Sequence, residues 1–180
     1  AAFGTSITSA CADFEGGYLD VIARRNGFAS YTNLGTSGQA MATGIRTAIA
    51  AADLSEYDLI IIECATNDFK LNIDLGEVGL MGDTDFNVNT FCGALRHSIE
   101  HILTADPTKH IMLIADPQRD KDGYDVNYTN SAGHKLIDYI NAMRSVAVLY
   151  GLPVCDWYRY SGFNALTLAT YTSDGLHPNA

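Results

Sequence analysis

Two rhythms of hydrophobic and polar positions alternate along the chain. Short apolar runs rich in β-branched residues give way to stretches where apolar residues recur every three or four positions. The clearest run, "YDLIIIEC" (Tyr57 to Cys64), is apolar enough to be covered on both faces of a sheet. "HIMLIAD" (His110 to Asp116) and "LPVCDW" (Leu152 to Trp157) follow the same pattern. Shorter candidates lie at Ala2 to Thr5 and near "SYTNL" (Ser30 to Leu34). Helical spacing predicts helices over Tyr18 to Arg25, stopped by Asn26-Gly27, and over Met41 to Asp53, Thr90 to Asp106 and Ser131 to Gly151. Strands alternating with helices predict a parallel sheet of five strands with helices on both faces, in one doubly wound α/β domain. Sites in such sheets lie beyond the carboxyl ends of the strands. The Asp/Asn/Gly-rich segment from Asn67 to about Asn89 is too long for a bare connection and is expected to be functional or partly structured.

Composition narrows the function. At 180 residues, with 47% hydrophobic and 18% charged, the chain can build one substantial core. A formal net charge of −10 argues against nucleic-acid or anionic-membrane binding, both of which need a basic face. No apolar run is long enough to cross a bilayer, so no membrane insertion is expected, and no secretory leader is visible at Ala1 to Ala10. The four cysteines, Cys11, Cys64, Cys92 and Cys155, show no Cys-x-x-Cys spacing and are expected to be reduced.

Four candidate pieces fall at predicted strand ends. They are Gly4-Thr5-Ser6, the glycines Gly35 and Gly38, Asn67-Asp68, and an Asp174–His177 pair. Singly, each is what an ordinary turn or cap contains. Three residues apart in a tight turn, Asp174 can reach His177 Nδ1–H and fix the tautomer, leaving Nε2 as a base. A serine hydroxyl needs such a base before it is nucleophilic, and the alkoxide that develops needs several donors.

In this order the pieces resemble the SGNH (GDSL-type) hydrolase superfamily. Its blocks are a Gly-Asp-Ser turn, a glycine after strand two, Gly-x-Asn-Asp after strand three, and Asp-x-x-His-Pro near the end. Here they stand as "FGTSIT", "NLGTSGQ", "CATND" and "SDGLHPN", spanning Phe3 to Asn179. The resemblance implies a three-layer flavodoxin-like fold and a serine esterase without cofactor or metal. It makes Ser6 the nucleophile, His177 the base and Asp174 its orienter, with Ser6, Gly38 and Asn67 forming the oxyanion hole. Gly38 is preferred to Gly35 because the family's glycine usually follows a small residue. The implied partner is a small acylated substrate, with O-acetyl groups on carbohydrate foremost. Asp68 is expected to tie loops together. Residues 1–180 are expected to be one such domain of a longer chain, since the family usually adds a helix after the last block.

Two departures stand out. Thr5 replaces the family's usual Asp, which should weaken hydrogen bonding in the turn that carries Ser6. Ala65 replaces its usual glycine, expected to be a mild change. These departures keep open a rival, a non-catalytic glycan-binding or structural module of a phage or cell-surface protein. A third reading takes "HSIEH" (His97 to His101) as a zinc site, but both histidines fall opposite the helix's apolar face and are expected to be solvated. "DTDFNVN" (Asp83 to Asn89) begins like a calcium loop, yet Val88 and Ala94 stand at the glycine and closing-glutamate positions. Phe69, Arg119 and Trp157 are candidates to line a pocket.

Overall fold

The computed structural model describes residues 1–10 and 17–179; Cys11 lies outside them. Four parallel strands form one sheet in the order β1 (Ala2–Phe3), β2 (Leu59–Cys64), β3 (His110–Ala115) and β4 (Val154–Asp156). Along β2 and β3 side chains alternate between faces, as strand geometry requires. One face packs Phe3, Ile60, Ile62, Ile111 and Leu113 against α3 (Arg46–Ala51), α5 (Phe91–Ala105) and α6 (Leu136–Tyr150). On the other face Ala2, Ile61 and Ile114 meet Leu19 of α2 (Tyr18–Asn26) and Trp157 of α7 (Trp157–Tyr160). The result is a three-layer α/β fold with helices on both faces of the sheet.

The expected fifth strand is reduced to an isolated parallel bridge beside β1. Near Ser30 to Leu34 only Asn33 bridges β1, opposite Ala2. Backbone bonds still run along β1: Ala2 N donates to Thr32 O, Leu34 N to Ala2 O and Thr36 N to Gly4 O, at 3.0, 2.8 and 2.9 Å. Asn33 Nδ2 donates to Thr8 O at 2.8 Å while Oδ1 accepts Gly35 N at 2.9 Å, tying the segment to the first helix. The segment still lies beside β1, on the side away from β2. The chain therefore leaves β1 in one direction and returns at β2 in the other. That switch point is where open α/β sheets place their sites.

Helix ends follow local chemistry. Gly27 (φ 67°) and Gly151 (φ 66°) close α2 and α6 in the left-handed conformation. Thr90 caps α5 by accepting Gly93 N. α6 starts at Leu136 rather than Ser131, because Asn130 Oδ1 accepts from Ala132 N and His134 N and holds that stretch in a turn. A π-helical turn, Met41–Ile45, leads into α3. The long segment after β2 begins with the short helix α4 (Thr66–Lys70). Farther along, buried Arg96 donates to Val78 O and Leu80 O at 3.0 and 3.1 Å and lies 3.6 Å from Asp83, so a cation already on the chain organises the calcium-like stretch. Among the described residues no helix is long and apolar enough to cross a membrane.

Candidate active site

β1 ends at Phe3, and from Gly4 the chain turns at once into the short helix α1 (Ser6–Ala10). Gly4 cannot be anything larger: a Cβ there would lie 2.3 Å from Thr8 Oγ1 and 2.5 Å from Glu63 Oε2. Ser6 is the first residue of α1 and is half-buried. Its Oγ lies 2.7 Å from Nε2 of His177, which is 171 residues away in sequence.

His177 sits in a tight turn that largely folds on itself. Asp174 Oδ1 accepts Leu176 N at 3.1 Å and His177 N at 2.9 Å, while Oδ2 lies 2.8 Å from His177 Nδ1. Lys121 Nζ reaches Oδ2 from the loop after β3, at 2.5 Å. Partial burial alone would raise the Asp174 pKa. The His177 amide, the Lys121 ammonium and the His177 ring overcome this and hold the carboxyl well below the usual carboxylate range. An ionised Asp174 fixes Nδ1 as the protonated nitrogen and leaves Nε2 to accept from Ser6.

The two glycines of "NLGTSGQ" separate cleanly. A Cβ on Gly35 would meet Ser9 N at 2.6 Å, so this glycine permits close packing beneath α1. Gly38 is exposed, has φ 77°, and would meet nothing within 4 Å. It is the one with room for a ligand. Asn67, 8% exposed at the start of α4, donates through Nδ2 to Gln39 O at 2.8 Å, tying its side chain to the loop that carries Gly38. Asp68 reinforces the tie by accepting Met41 N and Ala42 N at 2.9 and 3.2 Å. Burial pushes the Asp68 carboxyl up to about 7, against the pull of those two amides.

Ala65, just before α4, has φ 124° and ψ −43°. Glycine enters that region freely, whereas an alanine there is strained. The replacement of glycine is thus not mild. Strain of this kind persists only where surrounding contacts enforce it, here at the turn that sets Asn67.

The Thr5 expectation also changes. Thr5 N donates to Glu63 Oε2 at 2.8 Å and Thr5 Oγ1 to Glu63 Oε1 at 2.8 Å, and Thr8 N and Oγ1 add bonds of 3.2 and 2.8 Å to Oε2. The turn is well bonded, through an acid on another strand. Glu63 was missed from sequence although the signal existed: a lone acid inside "LIIIEC" must be satisfied if that strand is covered on both faces. Lys121 carried no such signal.

The remaining candidates have other work. Phe69 is buried against Tyr124 and Tyr139. Arg119 is buried and donates to Thr66 Oγ1 at 2.8 Å, and Trp157 packs edge-on against Tyr18 on the opposite face of the sheet. They therefore do not line one pocket. Of the two α5 histidines, His101 is exposed and His97 half-buried, with burial lowering the His97 pKa. Glu100 between them accepts from the Tyr150 hydroxyl and from Arg96. No cluster of three His, Cys, Asp or Glu suited to a metal occurs among the described residues. Cys64, Cys92 and Cys155 are free thiols.

Comparison with known proteins gives the family and supports the fold. The sequence matches the GDSL-like Lipase/Acylhydrolase family over residues 2–180. The chain belongs to that family and is a serine ester hydrolase of SGNH type. No curated protein sequence matches it significantly. Among solved structures, a protein from Lactobacillus plantarum superposes with a TM-score of 0.81 at 27% identity, covering 99% of this chain and 87% of that one. A possible lipase from Chitinophaga pinensis gives 0.80 at 21% identity, with 99% and 90% covered. A GDSL-like lipase from Bacteroides thetaiotaomicron gives 0.67 at 18%, with 99% and 78% covered. The last two likenesses bear on the fold alone.

Proposed function

We propose that Ser6 is the nucleophile of a short-chain esterase, with His177 as its base and Asp174 orienting His177. The observation that carries this reading is the continuous line Ser6 Oγ, His177 Nε2, His177 Nδ1, Asp174 Oδ2, with contacts of 2.7 and 2.8 Å. Ser6 Oγ attacks the ester carbonyl as its proton passes to Nε2. The carbonyl oxygen becomes an oxyanion that takes hydrogen bonds from Ser6 N, Gly38 N and the Asn67 amide. His177 then gives its proton to the departing alkoxide, leaving an acyl-enzyme. Water loses a proton to Nε2, attacks the acyl carbon and releases the acid, and the proton returns to Ser6.

Exposure supports the substrate class. Asp174 and Gly38 are exposed, and Gly38 has open space beside it. An open polar rim suits a short acyl group on a hydrophilic alcohol, and O-acetylated carbohydrate is the substrate we assign. The same reading takes residues 1–180 as one hydrolase domain, supported by the family match over 2–180.

The test is hydrolysis of a short acetyl arylester and of O-acetylated xylan by wild type, Ser6→Ala and His177→Ala. Either substitution is expected to lower kcat by about 10³-fold or more. A fluorophosphonate probe should label wild type and leave Ser6→Ala unlabelled. A folded wild type that neither hydrolyses esters nor takes the probe would overturn the reading in favour of glycan binding without turnover.

A further inference from the structure

Beneath the nucleophile turn lies a group the reaction does not use. Glu63, in β2, and Asp116, just after β3, are fully buried. Glu63 accepts from both Thr5 donors and both Thr8 donors. Asp116 accepts from Thr66 N through Oδ2 at 2.7 Å.

Each acid also grips a different part of the site. Glu63 holds Thr5 and Thr8, the residues that flank Ser6 in the chain. Asp116 holds the amide of Thr66, the residue before Asn67. We infer that Glu63 and Asp116 are positioning residues, Glu63 bracing the nucleophile turn and Asp116 the oxyanion turn. They work through Ser6 and Asn67 and touch no substrate. This inference rests on the proposed roles of those two residues.

Glu63→Gln tests it. The substitution keeps the shape, but the amide nitrogen has no lone pair, so one of the two oxygens that face donors is lost. The Ser6 turn then shifts, and displacements of this order can cost about 10²-fold in rate. Expected are a fall in kcat of roughly 10- to 100-fold, KM within about twofold, and a matching fall in the fluorophosphonate labelling rate of Ser6. Asp116 takes a single donor, Thr66 N, and Asp116→Asn still presents an oxygen to it, so its loss should be less than a third of that of Glu63→Gln. Should Glu63→Gln fail to fold, Thr5→Val removes a single donor with little change of shape and should lower the labelling rate about threefold. Wild-type labelling rates in Glu63→Gln or Thr5→Val would overturn the inference, and so would an Asp116→Asn loss equal to that of Glu63→Gln. Failure of wild type to take the probe would count against the nucleophile assignment instead, which keeps the two questions apart.

Discussion

The two ends of the chain that meet at Ser6 and His177 are held in opposite ways. The end that carries Ser6, the proposed nucleophile, depends on distant partners: Thr5 and Thr8 bind Glu63, 58 and 55 residues away, entirely within the protein interior. The base end depends mostly on neighbours, since Asp174 binds the amides and ring of residues two and three positions on, at a rim open to water. Buried bonds to a charged acceptor lose much when one partner is removed, because the rest stay desolvated. Exposed bonds can be replaced by water. The nucleophile end should therefore be the mechanically stiff half of the site, and the base end the half whose chemistry is concentrated in a few atoms.

Asp174→Asn breaks the comparison most severely. The carboxamide can present its nitrogen to Nδ1, favouring the wrong tautomer at Nε2. We expect a loss in kcat/KM of about 10³- to 10⁴-fold with little change in thermal midpoint. A midpoint that falls by more than a few degrees would show that the turn also carries stability, contrary to its exposure.

The next largest effect belongs to the buried side and is read as stability. Asp68 keeps its proton up to about pH 7 in the folded protein, against an ordinary value of 3.8. Between those values the folded state binds a proton that the unfolded chain has released. Stability therefore falls as pH rises from about 4 to 7 and is level above that, a change on the order of a few kcal/mol. Asp116, whose pKa burial also raises, adds a slope of the same sign. Urea midpoints between pH 5 and 8 should fall more steeply, or rise less, with pH in wild type than in Asp68→Asn, the difference being the Asp68 contribution. Equal slopes in the two proteins would remove Asp68 as a cause.

These contrasts explain what could be read from sequence. Asp174 and His177 are three residues apart, so their coupling is a local fact visible in "SDGLHP". Thr90, Gly27 and Gly151 likewise mark helix ends through contacts within one turn. The Thr5–Glu63 bonds link residues whose nearness depends on β1 pairing with β2, and no short motif reports that. The segment at Ser30 to Leu34 has strand composition and its backbone does bond to β1, but β1 spans 2 residues and leaves it a single bridge, a tertiary limit that composition does not report. Ala65 is an alanine like any other until the turn into α4 forces φ to 124°.

That strain gives a third, smaller effect. Ala65→Gly relieves a backbone cost of about 1–3 kcal/mol and gives back about 0.5–1 kcal/mol through the freer unfolded chain. The net expectation is stabilisation of about 1 kcal/mol, measured by urea denaturation at pH 7. A destabilised variant would mean that packing of the buried methyl outweighs the strain.

The smallest effect is the sharpest test of the comparison, because Lys121 is the distant side chain that binds Asp174, where the other long-range bond to this turn is from Asp120 N to Gly175 O at 3.0 Å. Lys121 lies 53 residues from Asp174 and contacts Oδ2 at 2.5 Å, with both side chains about one-third exposed. Ion pairs that water can reach contribute about 0–1 kcal/mol. Lys121→Met leaves Asp174 bound by the amides of Leu176 and His177, and those bonds, with the remaining interaction with His177, keep the carboxyl ionised at neutral pH. The expected change in kcat/KM is then about threefold or less at pH 7.5, and smaller still when wild type and variant are compared at high salt, where exposed charges are screened. A tenfold or larger loss, insensitive to salt, would mean that Asp174 cannot hold its place through local contacts. The base end would then rest on a long-range partner as the nucleophile end does, and the division between a buried, remotely braced half and an exposed, self-held half would fall.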